Sequence, residues 1–115
     1  MNDKYIETAI AIGDQRKYVT ALIIPAWEEI KIYAADHAID FDTEENMCKH
    51  PQIIELFESR INAMQHEFAN YEQIKRFVLL AEPFTIQSGE LTNTLKVKRL
   101  HIAEKYGEVI EGMYR

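Results

Sequence analysis

The chain has 115 residues, of which 47% are hydrophobic and 28% are charged, and its formal net charge is −6 at pH 7. These values indicate one globular domain with a single core, and they argue against nonspecific binding to nucleic acid or anionic membranes, which requires a basic face. The one cysteine, Cys48, cannot form an intrachain disulfide, which suits a reducing compartment such as the cytosol. No apolar run approaches the roughly 20 residues that span a bilayer, so no transmembrane segment is predicted.

The first part of the chain predicts a β-hairpin. Residues 5–13 alternate in a two-residue repeat, which is typical of a strand. Residues 18–25, "YVTALIIP", are apolar and β-branched, which predicts a second strand with both faces covered. The turn-rich segment "GDQRK" joins them. One face of the first strand is predicted to carry Ile6, Thr8, Ile10 and Ile12, with Ala9 and Ala11 opposite.

Two helices follow, separated by a polar connection. Residues 26–39 carry apolar side chains three and four residues apart, at Trp27, Ile30, Ala34 and Ala38. Residues 40–50 are acidic and predict a surface connection with room for one helical turn. Pro51 suits the first position of a helix that extends to about Asn70. Its predicted apolar stripe consists of Ile54, Phe57, Ile61, Met64 and Phe68.

The remainder predicts a third strand, a loop and a final helix. Residues 74–82, "IKRFVLLAE", are short and largely apolar, which predicts the strand. The final helix starts near residue 97, and Gly107 should weaken or split it. Its predicted stripe is Leu100, Ala103, Tyr106, Val109, Ile110 and Met113. The predicted fold class is therefore α+β, with a small sheet built on an N-terminal β-hairpin plus a third strand and packed with helices.

Three cations gather in the segment "SGELTNTLKVKR", residues 88–99, at the predicted helix start. Cations near the positive end of a helix dipole cost about 0.3–1 kcal/mol each. A bound anion would offset this cost, since Lys96 together with the hydroxyls of Thr92 and Thr94 could hold a phosphate or carboxylate. The alternative is a solvated basic helix start, which physical chemistry alone favours.

Other chemistry-bearing residues form no recognisable constellation. Cys48 has no paired base nearby in the sequence, so it is a weak candidate for a nucleophile. The acidic residues of segment 40–45 lack the glycine and terminal glutamate of an EF-hand loop. His37, His50, His66 and His101 are scattered, and none has the spacing of a zinc site. No metal site is predicted.

The segment "GELTNTLKVKRLHIAEKYGEVIEGMY", residues 89–114, closely resembles the end of long-chain fatty-acid–CoA ligases, which are AMP-forming acyl-adenylate ligases. "IGDQRKYVTALIIP" and "YEQIKRFVLLAEPFT" resemble the same family's preceding strands. The resemblance implies that residues 1–115 are the C-terminal lid domain, with a small sheet flanked by helices. Many long-chain members have proline where this chain has Asn93. The hinge, the N-terminal adenylation domain and the glycine-containing loop of the pantetheine tunnel belong upstream of Tyr5, so Met1 is expected to start an excised domain.

The resemblance also implies a two-step reaction. A fatty carboxylate attacks the α-phosphate of ATP to give acyl-AMP and pyrophosphate, and the thiol of coenzyme A then displaces AMP. The family's C-terminal domain supplies one lysine to the first step and turns by a large angle before the second. By position in "TLKVKR", that lysine is Lys96, which would hold the carboxylate and the α-phosphate together while charge develops.

The implied roles of the other residues are less specific. Thr92, Thr94 and Arg99 are predicted to belong to the ATP and acyl-adenylate loop. Lys75 and Arg76, placed just before the third strand, are predicted to meet coenzyme A phosphates, with exposed strand-end charges as an equal alternative. The intact enzyme would use ATP, Mg²⁺ and coenzyme A, none held tightly by this chain alone, and would be cytoplasmic, with peripheral association with a membrane left open.

Two further hypotheses assign the chain to a different class of protein from a ligase domain. The chain could be a free-standing α+β module that binds a partner protein through an exposed sheet or helix face. It could also be a small independent enzyme using Cys48 or a histidine, although the sequence supplies no paired group for that. Only the hypothesis of a ligase domain predicts that activity returns when an N-terminal domain is supplied.

Overall fold

The computed structural model describes residues 4–13, 18–65, 73–94 and 96–114, and these form one three-stranded sheet and five helices. The chain divides into two compact units, Met1–Ala81 and Glu82–Arg115. The elements in chain order are β1 (Ile6–Ile12), β2 (Val19–Pro25), α1 (Trp27–Asp36), α2 (Glu44–Cys48), α3 (Pro51–Gln65), β3 (Ile74–Leu79), α4 (Arg99–Lys105) and α5 (Gly107–Met113). Among the described residues, no helix is long and apolar enough to cross a membrane.

The sheet has the order β1-β2-β3, with β1 antiparallel and β3 parallel to β2. The predicted strands are confirmed, and so is the antiparallel pairing of the first two, whereas most of the connecting segment "GDQRK" lies outside the described residues. β2 is the central strand, and its residues Thr20–Pro25 are buried, as its continuous apolar sequence predicted. A parallel partner requires a crossover connection, which α1, α2 and α3 provide between β2 and β3.

The predicted faces of β1 are wrong because the strand is irregular. Its register with β2 shifts between Ile6 and Thr8, so the alternation of side chains changes phase there. Ile6 and Ala9 therefore pack with the same core cluster, whereas Ile10 pairs with Leu22 and is buried outside that cluster. A two-residue repeat read from the sequence cannot reveal such a bulge.

The core of the first unit lies between one face of the sheet and the three helices that cross over it. One row across the sheet aligns Ala9, Ile23 and Leu79, and this row belongs to the core cluster. The helices contribute buried or nearly buried side chains to the same cluster, namely Ile30, Ala34, Met47, Ile53, Phe57 and Ile61. The core of this unit thus lies where strand and helix faces meet.

Helix α1 ends earlier than its predicted stripe. It stops at Asp36, and Ala38 adopts a left-handed conformation with φ of 55°. The Ile39 N–H then donates to the Ala34 carbonyl at 2.8 Å, and the turn brings the Ile39 side chain into the core. Glycine usually occupies such a position, so an alanine there does not predict the end of the helix.

Helix α3 confirms Phe57 and Ile61 as core residues, but its buried stripe also contains Ile53 and Gln65. The Gln65 side chain accepts a hydrogen bond from the Ile74 N–H at 2.8 Å and donates one to the Ile74 carbonyl at 3.1 Å, in the manner of a strand partner. Its burial therefore leaves no polar group unsatisfied there. The predicted end of this helix, including Phe68, lies outside the described residues.

The C-terminal helix is split, as Gly107 predicted. Helix α4 ends at Lys105 and α5 begins at Gly107, with Tyr106 between them. The buried stripe is Ile102, Ile110 and Met113, so the prediction was wrong for Leu100, which is 84% exposed, and for Ala103. Of the predicted apolar stripe, Ile110 and Met113 are buried, and both follow the break. A single helical repeat applied across the break therefore placed the wrong residues of α4 in the core.

Two isoleucines on α1 provide a matched test of this packing. Ile30 is fully buried and Ile32 is 57% exposed. We expect Ile30→Ala to lower the free energy of unfolding by about 2–5 kcal/mol through lost burial and a cavity, and Ile32→Ala to change it by less than about 0.5 kcal/mol. Urea unfolding of both variants measures the difference, and similar losses would contradict the assigned face of α1.

Candidate functional site

The predicted site residues fall in different units of the structure. Lys96, Arg99 and the two threonines belong to the second unit, and Lys75 and Arg76 belong to the first. Lys75 and Arg76 lie within β3, in agreement with the strand predicted over residues 74–82, and not just before the strand, where their predicted coenzyme A role placed them. Arg76 pairs with Thr20 next to an irregularity in the register, and both basic side chains are exposed on an edge strand.

Lys96 lies on the returning limb of a short hairpin, which we call the lysine hairpin and define by its described residues 90–94 and 96–98. An isolated antiparallel bridge joins Leu91 to Val97. On one side of this bridge the Lys98 N–H donates to the Glu90 carbonyl at 2.7 Å, and on the other the Thr92 N–H donates to the Lys96 carbonyl at 2.8 Å. The backbone of Lys96 is therefore fixed from the opposite limb.

The two threonines brace the tip of the lysine hairpin. The Thr92 hydroxyl accepts a hydrogen bond from the Lys96 N–H at 3.1 Å and lies 3.1 Å from the Thr94 hydroxyl. These bonds reproduce the side-chain-to-backbone contacts that stabilise tight turns. Asn93, at the position where many long-chain ligases have proline, is an exposed turn residue. The bonds support the backbone of Lys96, and an additional role of either threonine in ligand binding stays a prediction.

The Lys96 side chain is exposed, and its ammonium forms no salt bridge within the described part of the chain. It precedes α4 by three residues, since the helix starts at Arg99 with Lys98 as its N-cap residue. Lys98 and Arg99 are also exposed, and Lys98 makes no side-chain cap. Lys96 and Lys98 thus lie on the hairpin, and Arg99 is the first residue of the helix.

A buried carboxylate lies at the base of the lysine hairpin, and the sequence did not single it out. Glu90 is 1% exposed. Its Oε1 accepts hydrogen bonds from the Ser88 hydroxyl at 2.6 Å and, more weakly, from the Thr85 N–H at 3.4 Å. Its Oε2 accepts one from the Lys105 ammonium at 2.9 Å. Burial by itself raises the pKa of Glu90, but the hydrogen bonds outweigh it, so that the pKa lies below the ordinary value.

The partners of Glu90 come from both sides of the hairpin. Lys105 is in the last turn of α4, and the hydrogen bond from its ammonium to Glu90 raises the pKa of Lys105. His101 lies one turn earlier, with Nε2 3.8 Å from Glu90 Oε2. That nitrogen is buried and has no hydrogen-bond partner among the described residues. Glu90 therefore joins the hairpin to α4.

Gly89 is required by this arrangement. Its φ of 94° is in the left-handed region, and a Cβ there would lie 2.9 Å from His101 Nε2. Its N–H donates to the Ile86 carbonyl at 3.2 Å, which closes the turn before the hairpin. The sequence marked this glycine only as part of a loop, because neither its conformation nor its contact with α4 is visible in the spacing of residues.

The alternative candidates from the sequence gain no support. Cys48 is half-buried, and desolvation together with Glu44 and Glu45 raises the pKa of its thiol to about 11. The acidic segment serves to start α2, where the Thr43 hydroxyl accepts from the Asn46 N–H and Asp42 accepts from the Asn46 amide. The described residues contain no group of three or more histidine, cysteine, aspartate or glutamate side chains that could hold a metal ion.

The fold and the lysine hairpin define a small α+β domain of one known class. A family model described as the AMP-binding enzyme C-terminal domain matches residues 1–115. The chain belongs to this family, which confirms the resemblance found in the sequence.

Three comparisons show how far the likeness extends. The "Putative fatty-acid–CoA ligase fadD11" of Mycobacterium tuberculosis is 33% identical over 105 residues, or 91% of this chain and 18% of that protein. The "Long-chain-fatty-acid–CoA ligase 5" of Mus musculus is 29% identical, over 86% of this chain and 15% of that protein. The chain therefore spans less than a fifth of these relatives. The adenylation domain of a carboxylate reductase from Mycobacterium chelonae matches 96% of this chain and 16% of its own, with 25% identity and a TM-score of 0.72, which confirms the predicted fold.

The pKa of Glu90 predicts how stability responds to acid. Because the folded-state pKa is below the ordinary 4.5, the ionised carboxylate stabilises the fold above that pH, and the contribution is lost as the pH falls through the folded-state pKa. We expect Glu90→Gln to cost about 1–3 kcal/mol at pH 7 and to flatten the loss of stability in acid. Urea unfolding at several pH values measures both. Glu104→Gln is the control on an exposed α4 residue, and equal acid dependence of Glu90→Gln and wild type would contradict the assignment.

The raised pKa of Cys48 predicts low reactivity. Since only the thiolate reacts, about one molecule in a thousand is reactive at pH 8 when the pKa is about 11. Iodoacetamide should therefore modify Cys48 in the folded chain much more slowly than in urea-unfolded chain, at a rate that keeps rising up to about pH 11. A rate that levels off near pH 8 would restore Cys48 as a candidate nucleophile.

Proposed function

We propose that this chain is the C-terminal domain of a long-chain fatty-acid–CoA ligase and that Lys96 acts in the adenylation step. The observation that carries the proposal is an exposed ammonium on a hairpin whose backbone is fixed on both limbs. Family membership and the aligned ligases support it, since their similarity extends over nearly the whole chain. A lysine presented in this way can reach a substrate that other parts of an enzyme hold.

The proposed chemistry follows from charge. A fatty carboxylate and the α-phosphate of ATP are both anionic, so their approach is unfavourable unless a cation lies between them. Lys96 would contact an oxygen of each group and stabilise the charge that develops as acyl-AMP and pyrophosphate form. Lysine suits this role because it is a compact charge on a flexible stem. The second step, in which the thiol of coenzyme A displaces AMP, does not need this contact.

The proposal assigns the remaining binding to an N-terminal adenylation domain that precedes this chain across a hinge. That domain would hold ATP, Mg²⁺ and the fatty acid, and the C-terminal domain would turn between the two steps to withdraw Lys96. Arg99, Thr92 and Thr94 would line the adenylate side of the hairpin, and Lys75 and Arg76 would meet coenzyme A phosphates.

Separating the two half-reactions tests the role of Lys96. In an enzyme carrying this chain after an adenylation domain of a long-chain fatty-acid–CoA ligase, we expect Lys96→Ala to slow pyrophosphate release by about 10²–10³-fold, equivalent to 2.7–4 kcal/mol. Thioester formation from supplied acyl-AMP should stay near the wild-type rate. Lys98→Ala removes a cation two residues away and should retain most of the adenylation activity.

The same assay distinguishes the ligase domain from an interaction module. A ligase domain restores thioester synthesis when it is joined to the adenylation domain, whereas a free-standing module leaves that domain as inactive as before. If Lys96→Ala and wild type are equally active in both half-reactions, Lys96 has no part in adenylation, and the cations mark a solvated helix start.

A further inference from the structure

We propose that Glu90 and Lys105 form a positioning pair that sets the direction in which Lys96 points, an inference that rests on the proposed function. Neither residue would contact the substrates. The pair would act by holding the base of the lysine hairpin against α4, so that the ammonium of Lys96 is delivered to a defined place.

The first support is the dual attachment of Glu90. Its backbone carbonyl accepts a hydrogen bond from the N–H of Lys98, two residues after Lys96, at 2.7 Å. Glu90 therefore closes the hairpin at its base. Its side chain turns into the interior, where it is 1% exposed. One residue therefore connects the limb that carries Lys96 to the packed part of the second unit.

The second support is the set of groups around the carboxylate. Ser88 and Thr85 donate to one oxygen, and Lys105 donates to the other. Thr85 and Ser88 also bond to each other through their hydroxyls, and the Ser88 N–H donates to the Thr85 hydroxyl at 3.0 Å. The turn at residues 85–88, the hairpin and the last turn of α4 thus meet at one carboxylate.

The third support is that a buried charge is costly and is kept only where its partners are in place. Charge-assisted hydrogen bonds are short and directional, so they define an orientation more sharply than apolar contacts do. Lys105 is 38% exposed, and its ammonium reaches Glu90 from α4, where the helix fixes its stem. A hairpin attached only by backbone hydrogen bonds would have no comparable link to a helix.

The expected effect is on the rate of adenylation. A displacement of about 1 Å in a reacting or stabilising group can cost about 10²-fold. We expect Glu90→Gln and Lys105→Met each to lower kcat for pyrophosphate release by about 10–100-fold, with little change in thioester formation from supplied acyl-AMP. The double variant should be no slower than the slower single variant, because both remove one link. Lys105→Arg, which keeps the charge, should retain most of the activity, and Glu104→Gln is the exposed control.

Amide hydrogen exchange provides a readout that does not depend on activity. In Glu90→Gln and Lys105→Met, the Lys98 and Thr92 amides should exchange faster, since both close the hairpin. The Leu80 amide, which donates to the Ile23 carbonyl in the first unit, should be affected less than the two hairpin amides in the same samples and shows that the variants stay folded. If Glu90→Gln does not fold, Lys105→Met alone tests the proposal, because the native Lys105 side chain is partly exposed and its replacement is less disruptive.

The outcomes separate this proposal from the proposed function. Faster exchange at both hairpin amides together with slower adenylation supports the positioning pair. Normal adenylation in both variants while Lys96→Ala is inactive overturns the pair and leaves the role of Lys96 intact. Full activity of Lys96→Ala overturns the proposed function, and the catalytic role of the pair with it. Unchanged exchange at both hairpin amides overturns the pair whatever the rates.

Discussion

The carboxylate of Glu90 is buried at the base of the lysine hairpin and links that hairpin, which carries Lys96, to helix α4. Removing a carboxylate from water is unfavourable by several kcal/mol before its partners are counted. Ser88, Lys105 and Thr85 supply the hydrogen bonds that offset this, and they hold the pKa of Glu90 below its ordinary value despite burial. Because the partners come from the turn at residues 85–88 and from α4 while Glu90 belongs to the hairpin, these three segments stabilise one another through one carboxylate.

This arrangement divides the lysine hairpin into a fixed base and an adaptable tip. The backbone is held by hydrogen bonds between residues 90 and 98 and between residues 92 and 96, on either side of the Leu91–Val97 bridge, whereas the Lys96 side chain is exposed. Functional loops commonly combine a rigid scaffold with mobile end groups. Arginine would present a planar fork suited to one geometry, but an ammonium on a four-carbon stem can follow oxygens that move apart as a bond forms.

Sequence patterns predicted the elements well and their faces less well. Strands and helices follow from local composition, so the hairpin of β1 and β2 and the split at Gly107 were correct. The faces depend on features that a periodic pattern does not contain, such as the bulge between Ile6 and Thr8 in β1. The burial of Glu90 cannot be predicted from the segment 88–99, because a glutamate in a polar loop has no local sign of burial. Its role depends on helix α4, which brings the ammonium of Lys105 to the carboxylate of Glu90.

The exposure of Lys96 explains why its position would need such support. In water, two unit charges 4 Å apart interact by about 1 kcal/mol, and at an effective dielectric of about 20 by about 4 kcal/mol. Under the proposed function, the ammonium therefore gains most of its effect only when the hairpin enters a cleft from which water is excluded. A loosely held loop would lose part of that gain in ordering itself at the moment of entry. A hairpin whose base is already fixed by Glu90 and Lys105 enters with that ordering complete, so the attraction between Lys96 and the substrate oxygens can act on the reaction itself.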